Sequence, residues 1–242
     1  EGNRNVINEA FRVLRSNMDF MVAPQKNQNI FVITSFNPGS GKTFLIMNIA
    51  MSFAIKMKRV LVIDGDLRHG STSSYVDSPE SGLSDYLSGM TDDWKNLIAY
   101  DNRYKNFHIL PIGKVPPNPT ELLENGRMET LIERLRSEYD YVFIDCPPID
   151  IVADAQILEK MADRTFFVIR AGLLDRSMLP ELESIYQEKR FKNLSLILNG
   201  TESTGGRYSY RYGYRYGYHY GHASYYGSKE KRGGVNGWLS AD

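Results

Sequence analysis

Six short aliphatic runs constrain this chain more than any other feature: Ile30–Thr34, Val60–Ile63, Phe107–Leu110, Tyr141–Ile144, Thr165–Ile169 and Leu194–Leu198. Most lack the polar alternation of a strand with one wet face, so they read as strands buried on both sides. Between them the apolar spacing turns helical, over Thr43–Lys58, Asn118–Ser137, Asp154–Met161 and Leu179–Lys189. Strands alternating with helices imply right-handed crossovers, and hence an α/β fold with a doubly wound, mostly parallel sheet. A further helix is expected over Asn5–Met21, with Ile7, Ala10, Phe11, Leu14 and Met18 as its buried stripe. The chain thus divides into a helix (1–25), an α/β body (26–200) and a tail (201–242).

The first strand runs into Asn37-Pro38-Gly39-Ser40-Gly41-Lys42-Thr43, and a helix opens at once. Strand, glycine loop and helix form the context that a phosphate-binding loop requires. Gly39 and Gly41 let backbone N–H groups converge on phosphate oxygens, with the helix N-terminus behind them. Lys42 has the reach for β- and γ-phosphates, and the Thr43 hydroxyl suits Mg²⁺. The segment expected to contact nucleotide is Pro38, Gly39, Ser40, Gly41, Lys42, Thr43 and Phe44. One departure stands out: Phe36 occupies the position of the usual first glycine of G-x-x-x-x-G-K-[ST]. The bland alternative is a glycine turn at a helix start.

Two other strands end in acid. Val60–Ile63 is followed by Asp64-Gly65-Asp66, and Tyr141–Ile144 by Asp145-Cys146-Pro147-Pro148. Ligands of open parallel sheets collect outside the carboxyl ends of strands. A carboxylate ending a buried strand needs a partner for its charge, and Mg²⁺ is a suitable one. Thr43, Asp66 and Asp145 are the candidate metal residues. Lys42, Asp64 and Asp66 are the candidate catalytic ones, with Asp64 orienting or deprotonating an incoming hydroxyl; exchange of the roles of Asp64 and Asp66 stays open. Each aspartate alone could be a strand-end cap.

The tail is of a different kind. Tyr208, Tyr210, Tyr212, Tyr214, Tyr216, Tyr218 and Tyr220 fall on every second residue, and Tyr225 and Tyr226 follow, so nine of the sixteen tyrosines lie there. With almost no aliphatic side chains, such a strip cannot offset the entropy of ordering its backbone, and it is expected to be mobile. The formal charge is zero overall, yet residues 207–242 carry six Lys/Arg against Glu230 and Asp242. A basic tail on an acidic body can lie on that body, on a neighbouring copy or on an anionic surface. The single cysteine, Cys146, forbids an internal disulfide framework and fits a reducing compartment. No run approaches the ~20 apolar residues of a membrane span. From the start at Glu1 rather than Met, a processed or excised piece is expected.

Taken in order, these motifs resemble the cytoplasmic domain of the bacterial tyrosine autokinases that regulate capsular and exopolysaccharide synthesis. The resemblance rests on Glu9-x-x-Arg12-x-x-Arg15, Pro38–Thr43, IDGDLR (Ile63–Arg68), GLSDYLSG (Gly82–Gly89) and PPNPTELL (Pro116–Leu123). It continues with Asp145–Pro148, Asp154-Ala155 and the terminal tyrosines. It implies transfer of the γ-phosphoryl of Mg-ATP to Tyr208–Tyr220, Tyr225 and Tyr226 of a neighbouring subunit. It also implies that Glu9, Arg12 and Arg15 form an interface in a ring-shaped homo-oligomer, an octamer by family resemblance. Further implied partners are a membrane activator of the polysaccharide co-polymerase type, fused or separate, and a tyrosine phosphatase. The implied location is the cytoplasmic face of the inner membrane. His69-Gly70 departs from the Arg-Pro that often follows Arg68 in this family.

Spacing alone gives Glu9, Arg12 and Arg15 a second reading, a solvated face with one salt bridge. Two rivals to the kinase remain. A ParA/MinD-like ATPase would use water as its nucleophile, but those proteins carry a further loop lysine where this chain has Asn37. Arg/Gly/Tyr-rich segments also bind nucleic acid; beside a complete nucleotide site, no nucleic-acid partner is expected. Asn199 could contact adenine or simply end its strand.

Overall fold

The computed structural model of the chain describes residues 2–22, 28–100, 104–149 and 153–201. Its sheet has seven strands: β1 (Ile30–Thr34), β2 (Val60–Asp64), β3 (Ala99–Tyr100), β4 (Phe107–Leu110), β5 (Tyr141–Asp145), β6 (Arg164–Arg170) and β7 (Ser195–Asn199). They lie in the order β3-β4-β2-β5-β1-β6-β7, all parallel except the β3–β4 pair. The mostly parallel α/β sheet is therefore as expected, with β3 added at one edge. That strand is two residues long and partly exposed, so no apolar run marks it.

The helices are α1 (Gly2–Val22), α2 (Lys42–Ala54), α3 (Leu83–Leu87), α4 (Pro119–Glu124), α5 (Arg127–Glu138), α6 (Asp154–Glu159) and α7 (Leu179–Gln187). The single helix expected over Asn118–Ser137 is two. Gly126, at φ +81°, stands between them in the left-handed region, which ends one helix and allows a sharp restart.

Strand side chains alternate between faces, and here both faces are covered. Ile30 and Val32 enter a layer with Leu131 and Leu135 of α5 and Leu158 of α6. Phe31 and Ile33 enter the opposite layer, with Ile49 and Phe53 of α2 and Phe11 and Met18 of α1. This double burial is why five of the runs show no polar alternation. The sixth, Leu194–Leu198, expected to be buried on both sides, instead forms edge strand β7, with Ile197 buried and Leu196 and Leu198 exposed.

Helix α1 is part of that second layer. Phe11 and Met18 are buried and Leu14 is half-buried, but Ala10 is exposed, so the stripe is narrower than expected; Ile7 lies outside the described side chains. Phe11 meets Phe44 of α2 edge-on at 5.9 Å between ring centroids. Asp19 accepts a hydrogen bond of 2.7 Å from the Tyr141 hydroxyl, and the Tyr141 ring stacks on Phe53 at 4.0 Å. Among the described residues, no helix is long and apolar enough to cross a membrane.

Candidate active site

The parallel sheet brings the carboxyl ends of β1, β2 and β5 together, because β5 lies between the other two. The loop from Ser35 to Gly41 leaves β1 and feeds α2 at Lys42. Its shape is set from within: Ser35 Oγ and Ser40 Oγ both donate to the Asn37 carbonyl at 2.8 Å. Gly39 and Gly41 take φ +75° and +92°, values that a side chain would strain. At Gly41 a Cβ would also lie 2.4 Å from Asn199 Nδ2. No side chain caps α2, which leaves its first N–H groups for an anion. Lys42 Nζ lies 3.3 Å from Ser35 Oγ.

Phe36 explains its own departure from the common glycine. It is 2% exposed and packs edge-on against Phe167 at 4.8 Å, in a cluster with Leu182, Ile185 and Phe191. The ring anchors the loop to the β6–α7 side of the body. Restoring the usual residue with Phe36→Gly is expected to destabilise the fold by about 3–5 kcal/mol, through the cavity left behind. Urea unfolding of the full chain checks this through a lower transition midpoint at unchanged slope.

Across the β2–β5 ladder Asp64 stands directly opposite Asp145. Thr43 Oγ1 and Thr72 Oγ1 donate to Asp145 Oδ2 at 2.6 and 2.8 Å. Asp64 Oδ2 accepts from the backbone N–H and Oγ of Ser73 at 2.6 and 2.7 Å. The second oxygen of each carboxylate, Oδ1, is buried without a hydrogen-bond partner. Two desolvated carboxylates face to face cannot both ionise easily. Burial, reinforced by the Asp145 charge, pushes Asp64 up to about 7. Burial also raises Asp145, against the opposing hydrogen bonds from Thr43 and Thr72. Burial lowers the pKa of Lys42, while the charge of Asp145 resists that shift.

Asp66 lies nearer the surface, where its Oδ1 accepts from the backbone N–H groups of Arg68 and His69, both at 3.2 Å. Arg68 turns away to buried Asp154, Nε to Oδ2 at 3.2 Å, and Thr120 Oγ1 donates to the other Asp154 oxygen at 2.7 Å. The IDGDLR, PPNPTELL and Asp154-Ala155 motifs are thereby tied into one network. Cys146 is buried behind the site with its thiol pKa raised by that burial, so it is no nucleophile.

The donor set fits Mg²⁺. The carboxylate and hydroxyl oxygens of Thr43, Asp66 and Asp145 are hard ligands, and Asp145 Oδ1 is one that the protein leaves unmatched. Among the described residues no three His, Cys, Asp or Glu side chains are grouped to hold a metal by themselves. Mg²⁺ in nucleotide sites characteristically takes one or two carboxylates and completes its shell with water and phosphate.

A family model described as an AAA domain matches residues 28–172. Tyrosine-protein kinase CpsD of Streptococcus agalactiae is 33% identical over 202 residues, which cover 83% of this chain and 85% of CpsD. The chain belongs to the bacterial tyrosine-protein kinases. Tyrosine-protein kinase Etk of Escherichia coli is 39% identical over 166 residues, but the match spans only 22% of that longer relative. The solved kinase domain of Etk superposes with a TM-score of 0.73 at 35% identity, covering 87% of this chain and 80% of that one. Septum site-determining protein MinD of Pyrococcus horikoshii, solved with Mg-ADP, shares the fold alone, with a TM-score of 0.58 at 24% identity and coverage of 73% and 71%.

The remaining predicted residues of this kinase fall into two groups. On α1, Arg12 pairs with Glu9 at 3.3 Å on the exposed face, while Arg15 reaches the Ser52 carbonyl of α2 at 2.8 Å. The three therefore do not form one ionic face; Arg15 belongs to the α1–α2 seam. The second group, Tyr208 through Tyr226, lies outside the described residues. What spacing missed is the support from Thr72, Ser73 and Arg170; Asn199 stands out in the sequence, but as an adenine contact or a strand end, whereas its Nδ2 donates to the Ser40 carbonyl. The hydroxyl-rich Ser71-Thr72-Ser73-Ser74 stretch after IDGDLR was the available signal for the first two.

Proposed function

We propose that the chain transfers the γ-phosphoryl group of ATP to tyrosines 208–226 of a neighbouring copy. The supporting observation is the pair of opposed strand-end carboxylates, each with a buried unpartnered oxygen, beside a glycine loop and Lys42. When bound, Mg²⁺ would be held by Thr43, Asp66 and Asp145, and would neutralise charge on the β- and γ-phosphates. Lys42 and the loop amides hold those phosphates in line. Asp64, with a pKa near 7, is poised as a general base at neutral pH. Its free Oδ1 takes the phenolic proton as the phenol oxygen bonds to the γ-phosphorus. The bond to the bridging oxygen then breaks and ADP leaves.

Reach favours transfer between copies: about twenty extended residues from Gly200 to Tyr220 span up to roughly 66 Å. We assign residues 1–25 to assembly, 26–200 to the kinase body and 201–242 to the acceptor tail. The exposed Glu9–Arg12 pair supports an interface on α1, beside a groove of about 680 Å³ lined by Phe11, Arg12, Arg15, Met51 and Tyr104. A ring, a membrane activator, a phosphatase and a role in capsule or exopolysaccharide export follow from the family reading alone.

Mass spectrometry after incubation with Mg-ATP tests the proposal. Phosphotyrosine within 208–226 is the expected result. Release of inorganic phosphate without any modified tyrosine would instead identify a MinD-like ATPase.

A further inference from the structure

In a trans peptide the carbonyl oxygen and the following N–H point in opposite directions, so fixing one fixes the other. Two successive peptides of the phosphate loop are held in this way from outside the loop. The Gly39 carbonyl accepts from Arg170 Nη1 at 2.7 Å, and the Ser40 carbonyl accepts from Asn199 Nδ2 at 2.9 Å. Arg170 ends β6, Asn199 ends β7, and the two residues are register partners. Asn199 is held in turn: its Oδ1 accepts from the Gly200 N–H and its carbonyl from the Ala171 N–H, both at 2.9 Å. The Arg170 stem lies against Gly200, where an added Cβ would meet Arg170 Cγ at 3.3 Å.

Without these contacts the loop would turn over easily. Gly39 has open space where a Cβ would sit, and glycine adopts either sign of φ at little cost. A flipped peptide would present a carbonyl oxygen to the ligand in place of an N–H, replacing a donor with a group that repels phosphate. We propose that Arg170 and Asn199 are positioning residues that lock the Ser40 and Gly41 N–H groups toward the phosphates by holding the carbonyls behind them. This inference rests on the reading of the loop as a nucleotide-phosphate site. It also gives Asn199 a role distinct from contact with the adenine ring.

Inorganic tripolyphosphate with Mg²⁺ is the discriminating probe, because it carries no base or sugar. Its affinity for the full chain is read by competition against a fluorescent ADP analogue, alongside unlabelled ADP. Arg170→Ala is expected to weaken tripolyphosphate and ADP by the same factor, about tenfold, as suits one hydrogen bond from a charged donor. Arg170→Lys should recover most of the loss, and Asn199→Ala should repeat it at an unchanged melting temperature. If Asn199→Ala loses ADP but binds tripolyphosphate normally, that side chain reads the base and the lock fails for it. Wild-type chain that binds while Arg170→Ala matches it on both probes sinks the lock alone. Wild-type chain that binds neither probe sinks the phosphate-site reading and the lock with it.

Discussion

Lys42→Met is expected to abolish tail phosphorylation, with a loss on the order of 10³-fold or more, while leaving the fold intact. The loss follows from charge: phosphoryl transfer depends mainly on alignment and on neutralising the developing negative charge. Methionine preserves the length of the lysine stem and removes the cation. The fold survives because Lys42 is a half-buried cation whose pKa burial already lowers, with a hydrogen bond of 3.3 Å to Ser35 to lose. Incubation with labelled ATP, beside circular dichroism of the same sample, checks both halves. Normal labelling of the variant would remove the phosphate loop from the mechanism.

Asp64→Asn is expected to do two opposite things at once: to eliminate transfer and to stabilise the protein without nucleotide at pH 8. The native Asp64 holds its proton up to about pH 7, whereas an unfolded aspartate releases it near 3.8. Between those values the folded state binds the proton and the unfolded state does not. Stability contributed by this group is therefore full below about pH 4 and lost as pH rises through 7. Asparagine keeps an acceptor for Ser73 and carries no charge, so it escapes that loss. A gain of about 2 kcal/mol, roughly 4–8 °C in melting temperature for a domain of this size, is the expected scale. The gain should shrink as the pH is lowered toward 4, and thermal melts at pH 4.5 and 8 measure the difference. A variant less stable than wild type at pH 8 would show that the opposed carboxylates are not in electrostatic conflict.

Much of this was legible before the structure, for identifiable reasons. Val60–Ile63 and Tyr141–Ile144 are doubly buried strands, so their runs are apolar without interruption, and the acid ending each is conspicuous. Where elements hide, burial is partial. β3 consists of half-exposed Ala99 and exposed Tyr100, and the break between α4 and α5 depends on one backbone angle at Gly126. The candidate site was legible as a set of residue types and illegible as geometry. Asp64 and Asp145 stand 81 positions apart, and only the strand order makes them face each other. The support from Thr72, Ser73 and Arg170 escaped for the same reason, and Asn199 was visible only as a strand end or an adenine contact. Side chains that act by touching a distant backbone leave no periodic trace.

The hydrogen bond between Asp19 and Tyr141 has a mechanical consequence. Tyr141 begins the strand that Asp145 ends, and five residues of β-structure form a stiff rod of about 16 Å. If, as proposed, a neighbouring subunit grips the first helix, it has its hand on one end of that rod, and Asp145 sits at the other. On that proposal assembly and catalytic readiness share a single rigid member, and removing the helix would also remove the Asp19 contact that braces the far end of the strand carrying Asp145.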